Sequence, residues 1–367
     1  MHHYKQGITT TQAHKGIPEN HYEEEQGLKG FFGPVSHLIR KNPSTRWTQI
    51  EGNLKPRLYD LIKFPENEGE KRIFHNAAVE VSWAWVDKKS PDKLRGFRSA
   101  DGDRLYFCHK GEGEVLTEYG VLPYRRGHYI NVPKCIVHTI APKEKSNFLV
   151  IENLNSHYEE PSRGIVGRHA IYDINSIGKP DLEKMQAVLK SWGDPVREIE
   201  VKRLGERTRF LYDSTVYDVV GWKGDLFPFT LHVDDMMPLM SHRAHLPPSA
   251  HTTLVARDFV VCTFLPRPLE QDADALKVPF YHQNIDYDEI LFYHDGDFFS
   301  RDNIHAGMLS MHPAGFPHGP HPKAFKGAAK KTETKEYAVM LDSRLPLICD
   351  STLNEVEFQP YWQSWKG

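Results

Sequence analysis

From Ala77 to Val86 the chain is mostly apolar and β-branched, and from Arg104 to about Glu152 short apolar runs alternate with Gly and Pro turns. This pattern predicts β-strands assembled into a sandwich or barrel. One stretch departs from it. Leu182, Met185, Val188, Leu189 and Trp192 recur at helical spacing, with Pro180-Asp181 ahead of them and Gly193 behind. These are the start signal, apolar stripe and C-terminal cap of a helix whose stripe belongs to the core. Strand-like runs resume at Thr215 to Val220 and again from Phe259 to Leu265. Residues 1 to about 75 are polar and contain prolines with little periodicity, so an irregular arm is expected there, with the His2-His3 pair in its frayed end.

The two β-rich regions repeat each other. Asp103-Arg104-Leu105-Tyr106-Phe107 matches Asp288-Glu289-Ile290-Leu291-Phe292, and Gly111 and Gly296 each follow seven residues after Arg104 and Glu289. Independently, Gly127 precedes His138 by eleven residues with Pro133 between them, and Gly307 precedes His318 by eleven with Pro313 at the equivalent place. Glycine, strand, proline turn and histidine, present twice, point to two cupin barrels in one chain. The predicted fold is mainly β, a bicupin with an N-terminal arm and a few short helices. The expected division is an arm over residues 1–75, an N-terminal cupin without metal over 76–175, a linker with a helix and connecting strands over 176–225 and a C-terminal catalytic cupin over 226–367.

Composition narrows the function classes. With 367 residues, 39% of them hydrophobic, there is material for two cores, and a net charge of −3 supplies no field that would favour nucleic acid or an anionic membrane. No apolar run approaches the roughly 18 residues that span a bilayer, and the polar first thirty residues lack a signal-peptide core. Cys108, Cys135, Cys262 and Cys349 are far apart without CxxC spacing. Neither a zinc knuckle nor a disulfide framework follows, and a reducing cytoplasm is the expected location.

The 21 histidines matter where the repeat puts them. His282, Glu289 and His318 fall on the ligand positions of the second copy, while Phe97, Arg104 and His138 stand at the same offsets in the first. Phenylalanine cannot coordinate and arginine keeps its proton, so metal is expected in the C-terminal copy alone. Two imidazoles and a carboxylate leave positions open for substrate and O₂, as a non-haem Fe(II) oxygenase requires; zinc or manganese would also accept these donors.

Phe280-Tyr281-His282-Gln283-Asn284, Asp288-Glu289, Met311-His312-Pro313 and Phe316-Pro317-His318-Gly319-Pro320 resemble the metal-binding stretches of the homogentisate 1,2-dioxygenase family. The resemblance continues in Gly102-Asp103 through Glu118-Tyr119-Gly120, in Tyr217 through Gly224 and in Ala244-His245-Leu246-Pro247-Pro248-Ser249. It implies Fe(II) on His282, Glu289 and His318, with His245 as acid/base toward a substrate hydroxyl and His312 as a second pocket histidine. It also implies Tyr281, Asn284 and Phe298 at the substrate, and a homo-oligomer. The implied reaction uses O₂ to open a para-hydroquinone, homogentisate to maleylacetoacetate, in tyrosine and phenylalanine breakdown. The chain departs from better-known members in three ways: one extra residue between His282 and Glu289, Phe298 where they carry tyrosine, and a shorter length overall. A related dioxygenase for gentisate or a substituted hydroquinone, and a metal-binding bicupin without oxygenase activity, stay open as alternatives. Because side chains alternate along a strand, Asp288 is expected to point away from the metal if Glu289 points toward it.

Overall fold

The computed structural model describes residues 4–193, 195–298, 300–301 and 303–365, so His2 and His3 lie outside it. The chain divides into two compact units. One comprises residues 65–236 and 348–352; the other comprises 1–64, 237–347 and 353–367. Each is a β-structure of the cupin type. The expected boundaries shift accordingly. The supposed arm supplies the strands Tyr22–Lys29, Phe32–Arg40 and Arg57–Asp60 to the C-terminal unit. The supposed linker supplies Glu198–Arg203 and Glu206–Leu211 to a sheet of the N-terminal unit. The strand Tyr22–Lys29 shows no apolar alternation because Glu23, Glu24 and Glu25, although charged, are all buried, a pattern that hydrophobic periodicity cannot register.

The repeat seen in sequence is a repeat of topology. In the N-terminal unit the strands run side by side in the order 229–232, 128–132, 103–110, 146–153, 79–86 and 69–75. In the C-terminal unit the order 57–60, 308–312, 288–295, 337–343, 259–264 and 252–255 reproduces it. The matched glycines share a backbone conformation that side chains rarely adopt. Gly111 and Gly296 have φ of +93° and +101°, and Gly127 and Gly307 both have +89°. A Cβ on Gly296 would run into the carbonyl of Lys335, so the turn that ends the strand Asp288–Asp295 admits nothing larger.

The helix forms as read, over Leu182–Trp192. Asp181 caps it by accepting from the Lys184 amide at 2.8 Å, and Gly193 ends it at φ +68°. Met185 and Val188 are buried with Leu116, Val121 and Ile199. Thr215 to Val220, expected as a strand, joins no ladder. Tyr217 is instead fixed through its side chain, 2.7 Å from the Thr139 hydroxyl and inside the same core, while Asp218 and Val220 face outward, so the run is anchored by Tyr217 without pairing. Among the described residues no helix is long and apolar enough to cross a membrane.

Candidate metal centre and its cavity

Strand alternation decides which acid faces inward. Along Asp288–Asp295 successive side chains leave opposite faces. Asp288 accepts from the Ala314 amide and the Leu347 amide, each at 2.7 Å, and is occupied in holding two loops. The equivalent Asp103 accepts from the amides of Lys134 at 2.8 Å and Tyr158 at 3.0 Å. The aspartate is therefore the scaffold element of both copies, and the next residue carries what differs between them: Glu289 in one, Arg104 in the other.

Glu289 meets His282 and His318 inside the C-terminal unit, and the three are buried to within 6% exposure. The two histidines sit opposite each other, with mutual backbone hydrogen bonds of 2.8 and 2.9 Å between their amides and carbonyls. Phe97 and His138 are strand partners at the corresponding place. Each ring is fixed by its own chain: His282 Nδ1 lies 3.0 Å from the Phe280 carbonyl and His318 Nδ1 lies 3.0 Å from that of Phe316. With Nδ1 donating, Nε2 carries the free lone pair. Both Nε2 atoms are buried without a hydrogen-bond partner, 3.8 and 3.5 Å from Glu289 Oε2. Buried polar atoms are ordinarily satisfied. Two orphaned imidazole nitrogens converging on one carboxylate oxygen, at separations close to the ~3–3.5 Å of donors sharing a cation, are a fit for a metal ion.

Protonation states agree. Burial is the largest influence on His318 and depresses its pKa to about 3, so the ring is neutral. Burial works against the Glu289 charge, yet the surrounding imidazoles hold its carboxyl well below the usual range. Burial and that neighbouring charge push the carboxyl of Asp342, on the adjacent strand, well above the usual range.

His312 touches the site from behind. Its Nδ1 is 2.8 Å from Glu289 Oε1, its Nε2 is 3.2 Å from the Tyr361 hydroxyl, and its ring stacks on His318 at 4.4 Å. Donating from Nδ1, it turns Oε2 of Glu289 toward the two ligand nitrogens. His312 is fully buried and does not line the cavity, so it is a positioning residue.

The cavity in front of the triad is lined by His245, Phe264, Arg267, Phe280, Ser300, Arg301 and Glu336, with His282 and Glu289 in its wall. His245 Nδ1 lies 2.9 Å from Glu270 Oε1, an ion-pair distance without the direction of a good hydrogen bond, and burial lowers the pKa of the ring. Arg301 is 8% exposed, and its Nε has no partner. Sequence reasoning missed Glu270, Arg267 and Arg301, which no spacing rule ties to His245 or to the triad.

Three expected substrate contacts lie elsewhere. Tyr281 alternates away from His282 and stacks on Phe325 at 6.0 Å. Asn284 is buried off the cavity, and its carbonyl accepts from the Gly315 amide at 2.8 Å. Phe298 packs edge-on to Tyr293 at 4.9 Å in a core with Met308, Tyr361 and Trp365, so its difference from tyrosine falls outside the cavity wall. Nearby, His294 and His321 are buried rather than solvent-facing, while His305 is half exposed and 3.4 Å from Asp60.

The N-terminal unit has a wider cavity, about 300 Å³, around Arg104, Phe97, Tyr106 and His138. There the donors are consumed: Arg104 pairs with Glu70 at 2.6 Å and Glu152 at 3.1 Å, and its Nε donates to the Tyr106 hydroxyl. That hydroxyl lies 2.7 Å from His138 Nε2, so the nitrogen equivalent to the ligand atom of His318 is already satisfied. Size alone would favour this cavity over the one at the triad. Donor chemistry selects the other.

Comparison with known proteins finds relatives over most of the chain. A cupin barrel protein from Leptotrichia buccalis aligns over 78% of this chain and 96% of its own at 12% identity, with a TM-score of 0.37. A Saccharolobus solfataricus protein, provisionally named a dioxygenase, is 30% identical over 362 residues, covering 94% of this chain and 92% of its own. The homogentisate 1,2-dioxygenase of Drosophila melanogaster is 25% identical over 97% of this chain and 84% of its own, and that of Mus musculus is 24% identical over 71% and 59%. The sequence models of the homogentisate 1,2-dioxygenase N-terminal and C-terminal domains match residues 70–233 and 234–367, and the chain belongs to that family of dioxygenases.

Proposed function

We propose that this protein is an Fe(II)-dependent dioxygenase that opens the ring of a para-hydroquinone, homogentisate in the first instance, to give maleylacetoacetate. The observation that carries the reading is one cavity whose wall holds His282 and Glu289 of the two-histidine, one-carboxylate donor set together with a neutral buried imidazole at His245 and cationic side chains at Arg267 and Arg301. His282, Glu289 and His318 would hold the iron, which supplies the redox path between an electron-rich ring and O₂.

The remaining roles belong to the chain. His245, neutral because burial depresses its pKa, accepts the phenolic proton as the ring binds, and Glu270 stabilises the imidazolium that forms. His312 holds the Glu289 carboxylate in its ligating orientation. The unpartnered Nε of Arg301 offers a charged donor to an anionic substituent, which a hydroxyphenylacetate carries and a simple catechol lacks. Phe264, Phe280, Leu291 and Met340 give the ring an apolar slot and limit water.

The test is O₂ consumption by Fe(II)-reconstituted protein with homogentisate, gentisate and catechol, with ¹⁸O₂ incorporation followed in the product. Two labelled oxygens in a ring-opened product of homogentisate support the reading. Turnover of gentisate alone moves the substrate, and no uptake with any of the three refutes oxygenase function.

A further inference from the structure

A second group of donors lies on strands that sequence periodicity did not reveal. Along Tyr22–Lys29, Glu23 and Glu25 share one face, while Glu24 takes the other and pairs with Arg40. His37 stands directly across from Glu25 in the antiparallel neighbour. His14, held at φ +61°, enters from the preceding turn and binds Glu23 Oε2 through its amide at 2.8 Å. Glu23, Glu25 and His14 are at most 7% exposed.

We propose that His14, Glu23 and His37 form a second divalent-cation site, distinct from the His282–Glu289–His318 centre, with Glu25 supporting both imidazoles from behind. Three observations carry it. First, the charges do not balance within the cluster: among the described residues, the ion-pair partners of both buried carboxylates are the imidazoles of His14 and His37. Against its burial, Glu23 and Glu25 raise the pKa of His14, and even with that ring charged one negative charge is left over. With both imidazoles ligating as neutral rings two are left, which one divalent ion cancels.

Second, one side of each ring faces Glu23 and the other faces Glu25. The Nδ1 atoms of His14 and His37 are 2.8 and 3.4 Å from Glu23 oxygens, and their Nε2 atoms are 3.3 and 3.5 Å from Glu25 Oε2. A carboxylate beyond a ligating imidazole is the usual means of fixing its tautomer and raising its basicity. Third, His37 Nδ1 is buried without a hydrogen-bond partner although it faces Glu23, the same mark that the ligand nitrogens of the first centre bear. One nitrogen lone pair aimed at one carboxylate oxygen is repulsive unless a cation lies between them.

Two imidazoles and a carboxylate suit a borderline cation such as Zn(II) better than Ca(II) or Mg(II), which ask for more oxygens. The ion takes the place of the proton now shared between His14 and Glu23. It would fasten three segments to the cavity wall, because the His14 ring stacks on Phe280 at 3.8 Å and the strand Tyr22–Lys29 runs parallel to Tyr281–Asn284.

The test is Zn(II) stoichiometry on metal-stripped protein, titrated against a chromophoric chelator and checked by elemental analysis. His282→Ala/His318→Ala, which dismantles the first centre, should still bind about one equivalent and gain thermal stability from it. Adding His37→Ala should abolish both effects. His37 is partly exposed and its loss leaves the His14–Glu23 contact intact, so the fold tolerates it. If the double variant does not fold, the single His37→Ala variant should bind one equivalent fewer than the wild type. Zn(II) binding unchanged by His37→Ala, or none in the folded double variant, overturns the proposal. Neither result bears on the first centre, whose occupancy is read separately in His37→Ala.

Discussion

Neighbouring acids on one strand should fail in different ways when altered, and the pair Asp288→Asn and Glu289→Gln tests the site most sharply. Asp288 is 5% exposed and accepts two backbone amides at 2.7 Å. An asparagine keeps one acceptor and turns the other oxygen into a donor facing an amide. The loss is one charge-assisted hydrogen bond, about 1.5–3 kcal/mol, which for a unit of this size lowers Tm by roughly 4–10 °C. Its side chain lies on the face away from His282, so metal content should remain near wild type and turnover should persist at temperatures where the variant is folded. Glu289→Gln preserves volume and can still accept from His312, but it removes the anionic oxygen toward which both orphaned Nε2 atoms point. Its Tm without metal should fall as well, because the surrounding imidazoles favour the ionised carboxylate over the neutral side chain that glutamine mimics, so metal content separates the two variants. Its iron content after reconstitution and desalting should collapse, and activity with it. Thermal melts of the stripped proteins together with iron analysis of the loaded ones read both axes. Iron lost from Asp288→Asn but retained by Glu289→Gln would refute the strand-face argument and with it the ligand assignment.

His245→Ala should keep iron yet lose turnover on the order of 10²-fold, and the acid limb of the wild-type pH–rate profile should lie below the ordinary imidazole value of about 6.5, since burial lowers this ring. Retained iron with full rate would make His245 structural. His312→Phe should weaken iron retention without touching the ligands, roughly 10–100-fold, and iron affinity equal to wild type would remove its positioning role. Chelation should abolish activity, with Fe(II) restoring it and Zn(II) not, because zinc has no accessible redox change; recovery with Zn(II) would argue for a non-oxidative reaction. In the N-terminal unit, burial and then Arg104 lower His138 to about 3. At pH 5 the unfolded chain protonates it and the folded chain does not, so stability is full above about pH 6.5 and falls on acidification, by about 2 kcal/mol at pH 5. Urea unfolding of His138→Gln should show a shallower loss between pH 7 and 5, and an unchanged slope would place the proton elsewhere.

What could be read from sequence was whatever local chemistry repeats. The two Gly–Pro–His spacings and the aspartate before the ligand position were legible because each is fixed by a turn or a backbone clamp within its own copy: Gly127 and Gly307 need positive φ, and Asp103 and Asp288 each bind the amide just after the turn proline. The helix was legible for the same reason, having its cap, stripe and terminal glycine within a few residues. The strands of the first 64 residues were not. Glu23 and Glu25 are buried against His14 and His37, so inward and outward positions are both polar and no period appears. The substrate side was legible only in part. His245 belongs to the cavity, but Arg301 reaches the cavity and Glu270 reaches His245 from segments whose approach is set by tertiary packing, while Tyr281 and Asn284, one and two residues from His282, lie off the cavity wall.

The two copies share a scaffold and differ in the donors it presents. Both keep the aspartate clamp, the positive-φ glycines and the histidine after the proline turn. In the N-terminal copy Arg104 replaces the carboxylate, and its charge is met by Glu70 and Glu152, the latter on the strand position that Asp342 fills opposite Glu289. Tyr106 then satisfies His138, whereas the equivalent Leu291 leaves His318 with nothing to bond. The charge has been inverted and the lone pair quenched by residues on the same strand, two positions apart and therefore on the same face. Restoring a centre there would demand more than Arg104→Glu. With Phe97 unable to coordinate and Tyr106 still bonded to His138, such a variant would set a third carboxylate beside the buried Glu152 and the partly exposed Glu70 without a second nitrogen ligand, and the expected outcome is loss of stability rather than gain of metal.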